Sequence, residues 1–167
     1  MTPLSGRRLI LMRHGKAEAR AASGEDCDRD LTERGRRDVR LVADALARAD
    51  VRPDLALVSP AARARATWEA VAPAFPGARA QLDRTLYDAD ESALMEAASS
   101  AAAGAPTLMI VAHNPGLHGL AHRLGRGGPL NEGLPTGAAA VIAFDRHGRS
   151  SLALFIRPSD VGGGREP

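Results

Sequence analysis

Arg13 and His14 stand side by side at the end of the apolar run Leu9-Ile10-Leu11-Met12, and Gly15 follows at once. The same arrangement returns in Val111-Ala112-His113-Asn114-Pro115-Gly116, where a second histidine closes a second apolar run. Short apolar runs bounded by turn residues read as buried strands, so both histidines are expected where a strand meets solvent. Imidazole changes charge near neutral pH and can attack, accept or donate, while guanidinium grips phosphate with a planar fork. Two histidines at strand ends, with arginines close by, point to the handling of a phosphate group.

The rest of the chain has to position those groups. Leu55-Ala56-Leu57-Val58 predicts a further buried strand, and Ser59-Pro60 turns it into a helix carrying Arg63, with Pro60 suited to the first turn. Between the first two strands, residues 16–31 read as loop and Thr32 as the cap of a helix. Val39, Val42, Ala43 and Leu46 recur at the spacing of an amphipathic stripe. Pro73, Pro76 and Gly77 break the second helix; a third is expected over 91–103, closed by Gly104, and a fourth over 117–124. Residues 125–137 read as loop, and strands near 139–144 and 152–156 flank the turn Asp145-Arg146-His147-Gly148.

Continuous apolar strands alternating with helices predict an α/β fold with three layers, α/β/α. Its central sheet should be mostly parallel, with an antiparallel strand near the C-terminus. Ligands of such sheets sit beyond the carboxyl ends of the strands, the edge that His14, Ser59 and His113 would share. One domain is expected over 1–161, with 162–167 as a frayed tail.

Composition narrows the partners. A formal charge of +2 and an aromatic share of 3% argue against nucleic acid, which needs a basic face and rings to stack on bases. The single cysteine, Cys27, excludes an internal disulfide and fits a reducing compartment. Arg7 and Arg8 interrupt any signal-like start, and no run approaches the length of a membrane span, so a soluble cytoplasmic protein without a membrane partner is expected. Other apparent motifs have plainer readings. His118 and His122 are spaced as a metal pair, but Gly119 stands where a zincin carries glutamate, and no metal is expected. Gly125-Arg126-Gly127-Gly128 lacks the Lys and Ser/Thr of a P-loop. Glu33 occupies the place of the arginine that a Cys-x5-Arg phosphatase loop starting at Cys27 would need. Arg34, Arg36, Arg37 and Arg65 read as solvated helix faces.

Four segments together resemble the histidine phosphatase superfamily: Arg13-His14-Gly15, Leu31-Thr32-x-x-Gly35, Ser59-Pro60-x-x-Arg63-Ala64-x-x-Thr67 and Ala112-His113-Asn114-Pro115-Gly116. The short length and the ending His113-Asn114-Pro115-Gly116-Leu117 are most similar to its SixA-type phosphohistidine phosphatase branch. The resemblance implies a phosphoglycerate mutase-like fold and a metal-independent phosphatase with no cofactor. His14 would be the nucleophile, Arg13 and Arg63 would grip the phosphoryl oxygens, and His113 would donate to them. Gly15, Lys16 and Asn114 would border the substrate, with Lys16 alternatively facing water as loop lysines usually do and Asn114 alternatively ordering the loop around His113. Neighbouring arginines would help to keep His14 neutral.

The general acid stays open between Asp88, Asp83 and none. An alkoxide leaving group needs a proton, whereas a phosphorylated imidazole can carry one on its distal nitrogen and depart neutral. A marginal acid therefore favours N–P over O–P substrates. Protein phosphohistidine is the favoured substrate, a small phosphate ester the alternative. A sugar-phosphate mutase would need covering segments for which the chain is too short. A phosphopeptide-binding module without turnover is the reading from another class.

Overall fold

Side chains alternate across a strand, so an apolar run buried on both faces must feed two cores. In the computed structural model, which describes residues 2–164, the first strand, β1 (Arg8–Arg13), does this. Leu9 and Leu11 join one cluster with Leu94, Ala98, Leu117 and Leu120. Ile10 and Met12 join the other with Val39, Val42, Leu46 and Val71. The first cluster lies under α3 (Glu91–Ala101) and α4 (Gly116–Gly125), the second under α1 (Glu33–Arg48) and α2 (Ala62–Val71). The architecture is therefore α/β/α.

The remaining strands are β2 (Leu55–Val58), β3 (Arg79–Leu82), β4 (Thr107–Ala112), β5 (Ala139–Phe144) and β6 (Ser150–Ile156). They form a six-stranded sheet in the order β3-β2-β4-β1-β5-β6. Pairing is parallel from β3 through β1; β5 then runs antiparallel to both β1 and β6. Met12 and Val58 both lie level with Val111 in the register. The residues that follow these strands, His14, Ser59 and His113, consequently emerge along one edge.

Three local features differ from expectation. β3 follows the helix break at Pro73, Pro76 and Gly77, in a stretch for which no element was expected; all four of its residues are exposed, so this edge strand carries no apolar run. Pro60 precedes α2, whose N-cap is Ala61, so it sets up the turn and lies outside the first helical turn. Of the expected tail, residues 162–164 are held: Gly164 N–H donates to Asp38 Oδ1 (3.1 Å), its carbonyl accepts from Arg34 Nη2 (2.8 Å), and Gly163 is buried. The other tail positions, 165–167, lie outside the described residues. Among the described residues no helix is long and apolar enough to cross a membrane.

Candidate active site

Strand ends supply the imidazoles. His14 and His113 follow β1 and β4, are 7% and 8% exposed, and place their ring centroids 5.2 Å apart. His14 Nδ1 lies 2.8 Å from the Gly15 carbonyl oxygen. A carbonyl can only accept, so Nδ1 carries the proton and Nε2 the lone pair. His113 Nε2 lies 2.7 Å from the hydroxyl of fully buried Ser59, which also accepts from Ala61 N–H (3.4 Å). His113 Nδ1 is buried without a partner among the described residues.

Helix α2 supplies the second arginine and explains its motif. Arg63 sits in the first turn, 6% exposed, and Thr67 one turn later donates back to the Arg63 carbonyl (2.7 Å). The Thr67 hydroxyl also accepts from Gly15 N–H at 3.0 Å, so one buried side chain ties the helix to the backbone beside His14. The Leu31-to-Gly35 motif fastens the other side. Thr32 caps α1 by accepting from Gly35 N–H (2.9 Å), and its own N–H donates to the Lys16 carbonyl (2.9 Å). A Cβ on Gly35 would run into that carbonyl, and one on Gly15 would come within 2.8 Å of the Gly35 oxygen. Two glycines therefore let the segment after His14 lie against the start of α1.

Arg13, half-buried, donates from Nη1 to the Leu134 carbonyl (3.1 Å), and Asn114 Nδ2 donates to the same oxygen (3.0 Å). Asn114 Oδ1 accepts from His118 N–H (3.2 Å), so its amide orders the start of α4. The structure thus brings Arg13, His14, Gly15, Arg63 and His113 together, with Asn114 buttressing them. Lys16 is exposed. Asp88 borders a cleft of about 560 Å3 with His113, Asn114, Asp90, Glu91 and His118. Asp83 instead caps the turn Arg84–Leu86, accepting from Thr85 N–H (2.9 Å) and Thr85 Oγ1 (2.6 Å). His118 Nε2 donates to the Leu130 carbonyl (2.8 Å), and His122 Nε2 bonds to Asn131 Oδ1 (2.7 Å).

Two participants were not read from the sequence. Arg63 Nη1 donates to the Asp26 carbonyl (2.9 Å) and Nη2 to Asp26 Oδ2 (3.1 Å). The Tyr87 hydroxyl donates to that same carboxylate oxygen (2.7 Å), while its ring meets His113 edge-on at 5.7 Å. Asp26 is one of three acidic residues in Glu25-Asp26-Cys27-Asp28, and no spacing singles it out.

Electrostatics keep both imidazoles neutral. Burial pushes His14 down to about 4, helped by the charges of Arg63, Arg13 and Arg29 and opposed by the Gly15 carbonyl. Burial likewise pushes His113 down to about 3, with His14 and Arg63 adding to it. Desolvation, more than the arginines, is therefore the main cause. The hydrogen bond from Tyr87, joined by Arg29 and Arg63, holds Asp26 at about 2.

The same fold occurs in known proteins. The family profile of the histidine phosphatase superfamily (branch 1) matches residues 9–100. A candidate SixA phosphohistidine phosphatase from Agrobacterium tumefaciens is similar over 91% of this chain and 98% of its own, at 31% identity and a TM-score of 0.81. The protein histidine phosphatase SixA, solved with tungstate, is similar over 92% of this chain and 98% of its own, at 26% identity and a TM-score of 0.78. A mycobacterial glucosyl-3-phosphoglycerate phosphatase shares the fold alone, at 17% identity and a TM-score of 0.65 over 89% of this chain and 97% of its own. No curated protein matches the sequence.

Proposed function

The chain belongs to the histidine phosphatase superfamily and is a phosphatase, and from that premise we propose that it hydrolyses phosphohistidine in proteins through an intermediate on His14. The observation that carries this reading is the pairing of two buried neutral imidazoles, 5.2 Å apart, with Arg13 and Arg63. The Nε2 lone pair of His14 attacks phosphorus as the bond to the substrate imidazole breaks. That imidazole, already protonated on its distal nitrogen, leaves as a neutral ring. Water then attacks the phosphoryl group on His14, releasing inorganic phosphate and restoring the lone pair.

Charge builds on the non-bridging oxygens, where Arg13 and Arg63 supply fixed positive charge without reorganisation. If Ser59 donates its proton to His113 Nε2, the histidine's own proton lies on Nδ1, which has no hydrogen-bond partner among the described residues and can donate to a phosphoryl oxygen. No step calls for a metal. The cleft beside His113 has room for the side chains that flank a phosphohistidine. It also holds Asp88, which favours a second reading, hydrolysis of small phosphate esters with Asp88 as proton donor.

A substrate panel tests both. kcat/KM on a phosphohistidine protein should exceed that on sugar and nucleotide phosphates by about tenfold or more. Asp88→Ala should spare the phosphohistidine substrate and lower alkyl phosphate hydrolysis by about 100-fold, the ordinary worth of a general acid. Equal losses on both classes would refute the division.

Protonating His14 removes its lone pair, so activity must fall as pH drops through the folded-state value, about 4. On an aryl phosphate, corrected for the substrate's own ionisation, kcat/KM should stay level down to that region and then fall about tenfold per pH unit. An acid limb centred near pH 6.5, the ordinary imidazole value, would contradict the buried neutral nucleophile.

A further inference from the structure

A guanidinium that must meet a phosphoryl group in one orientation sits on a long side chain with much rotamer freedom to lose. Helix α2 fixes only the Cα of Arg63. The far end is fixed by a residue 37 positions earlier in the chain, Asp26, whose carbonyl and carboxylate oxygens take one hydrogen from each terminal nitrogen.

Both oxygens of the carboxylate are themselves held. Oδ1 accepts from Arg29 Nε (3.0 Å), and Oδ2 accepts from both Arg63 and Tyr87. Arg29 in turn donates from Nη1 to the Glu18 carbonyl (2.8 Å), and Glu18 N–H donates to the Asp30 carbonyl (2.8 Å). An antiparallel bridge between Ala17 and Leu31 closes the base of the segment. The loop after His14 is therefore cross-braced, and its brace ends on Arg63. Through the Tyr87 ring it also bears on His113. With both terminal nitrogens turned to Asp26, Arg63 Nε is left buried and without a partner among the described residues.

We propose that Asp26, assisted by Tyr87, is a positioning residue for phosphoryl transfer, holding the Arg63 guanidinium plane so that its remaining N–H groups meet the phosphoryl oxygens. The role rests on the reaction assigned above to His14. Asp26 touches no reacting atom; it acts through Arg63, and the carboxylate is a brace and not an occupant of the anion site.

A double-mutant cycle with two readouts tests this: kcat and KM on an aryl phosphate, and tungstate affinity by calorimetry. Asp26→Ala is expected to weaken tungstate binding about tenfold and lower kcat by about 10- to 100-fold. Asp26→Asn, which keeps one acceptor oxygen but no charge, should recover part of each loss. On the Arg63→Ala background the same Asp26→Ala change should cost less than about twofold. Tyr87→Phe, which removes only the hydroxyl, should lose about threefold in kcat and keep its folding midpoint. Equal losses on both backgrounds would make Asp26 an independent loop residue and overturn the proposal. So would an Asp26→Ala variant indistinguishable from the parent. Tighter tungstate binding in Asp26→Ala would show the carboxylate to be a competing anion, which also overturns it. Should the parent fail to turn over any phosphate, the reaction assigned to His14 is wrong, and the tungstate cycle still reports whether Asp26 acts through Arg63.

Discussion

Replacing His14 with alanine is expected to lower turnover of an aryl phosphate by more than about 1000-fold. The variant keeps Arg13, Arg63 and His113, so tungstate should still bind within a few-fold of the parent while chemistry stops. The distinction follows from geometry: the Gly15 carbonyl holds the Nδ1 proton, which leaves the lone pair of His14 on Nε2. Rapid quenching of the parent should trap a phosphoryl group on His14, and the variant should trap none. A His14→Ala protein that turns over as fast as the parent would remove the nucleophile from the mechanism altogether.

Arg63→Lys is expected to cost about 100-fold in kcat, the usual worth of one preorganised transition-state donor, although it preserves charge. Lysine offers a single ammonium on a flexible stem, whereas Arg63 meets Asp26 with two nitrogens at once and retains further N–H groups. An ammonium drawn to the Asp26 carboxylate would sit away from the phosphoryl oxygens, and one drawn to the oxygens would leave the carboxylate with Tyr87 and Arg29 alone. Steady-state kinetics on the folded variant decide it. A loss under about threefold would mean that charge, and not the planar fork, is what the site uses.

Much of this arrangement was readable beforehand because it is written in local patterns. β1, β2 and β4 are apolar on both faces and announce themselves as runs, and α1 shows its stripe. His14 and His113 were legible for the same reason, since each closes such a run. β3 was not, because an exposed edge strand buries neither face and leaves no periodicity to read. Thr67 could be recognised as part of a motif, but its bond to Gly15 exists only once α2 lies against the segment that follows β1. Asp26 and Tyr87 were invisible for a related reason: their partners lie 37 and 61 residues away, and in sequence Asp26 is one acid among neighbours. The hold of Asp38 on Gly164 spans 126 residues and leaves no local pattern either.

The Leu134 carbonyl oxygen, shared by Arg13 and Asn114, has an implication for exchanging specificity between relatives. That backbone atom, in the connection between α4 and β5, is a joint fastening for two different strand ends. Grafts that carry their own geometry across it will tug a guanidinium and a helix start together, coupling what is recognised to how fast it reacts.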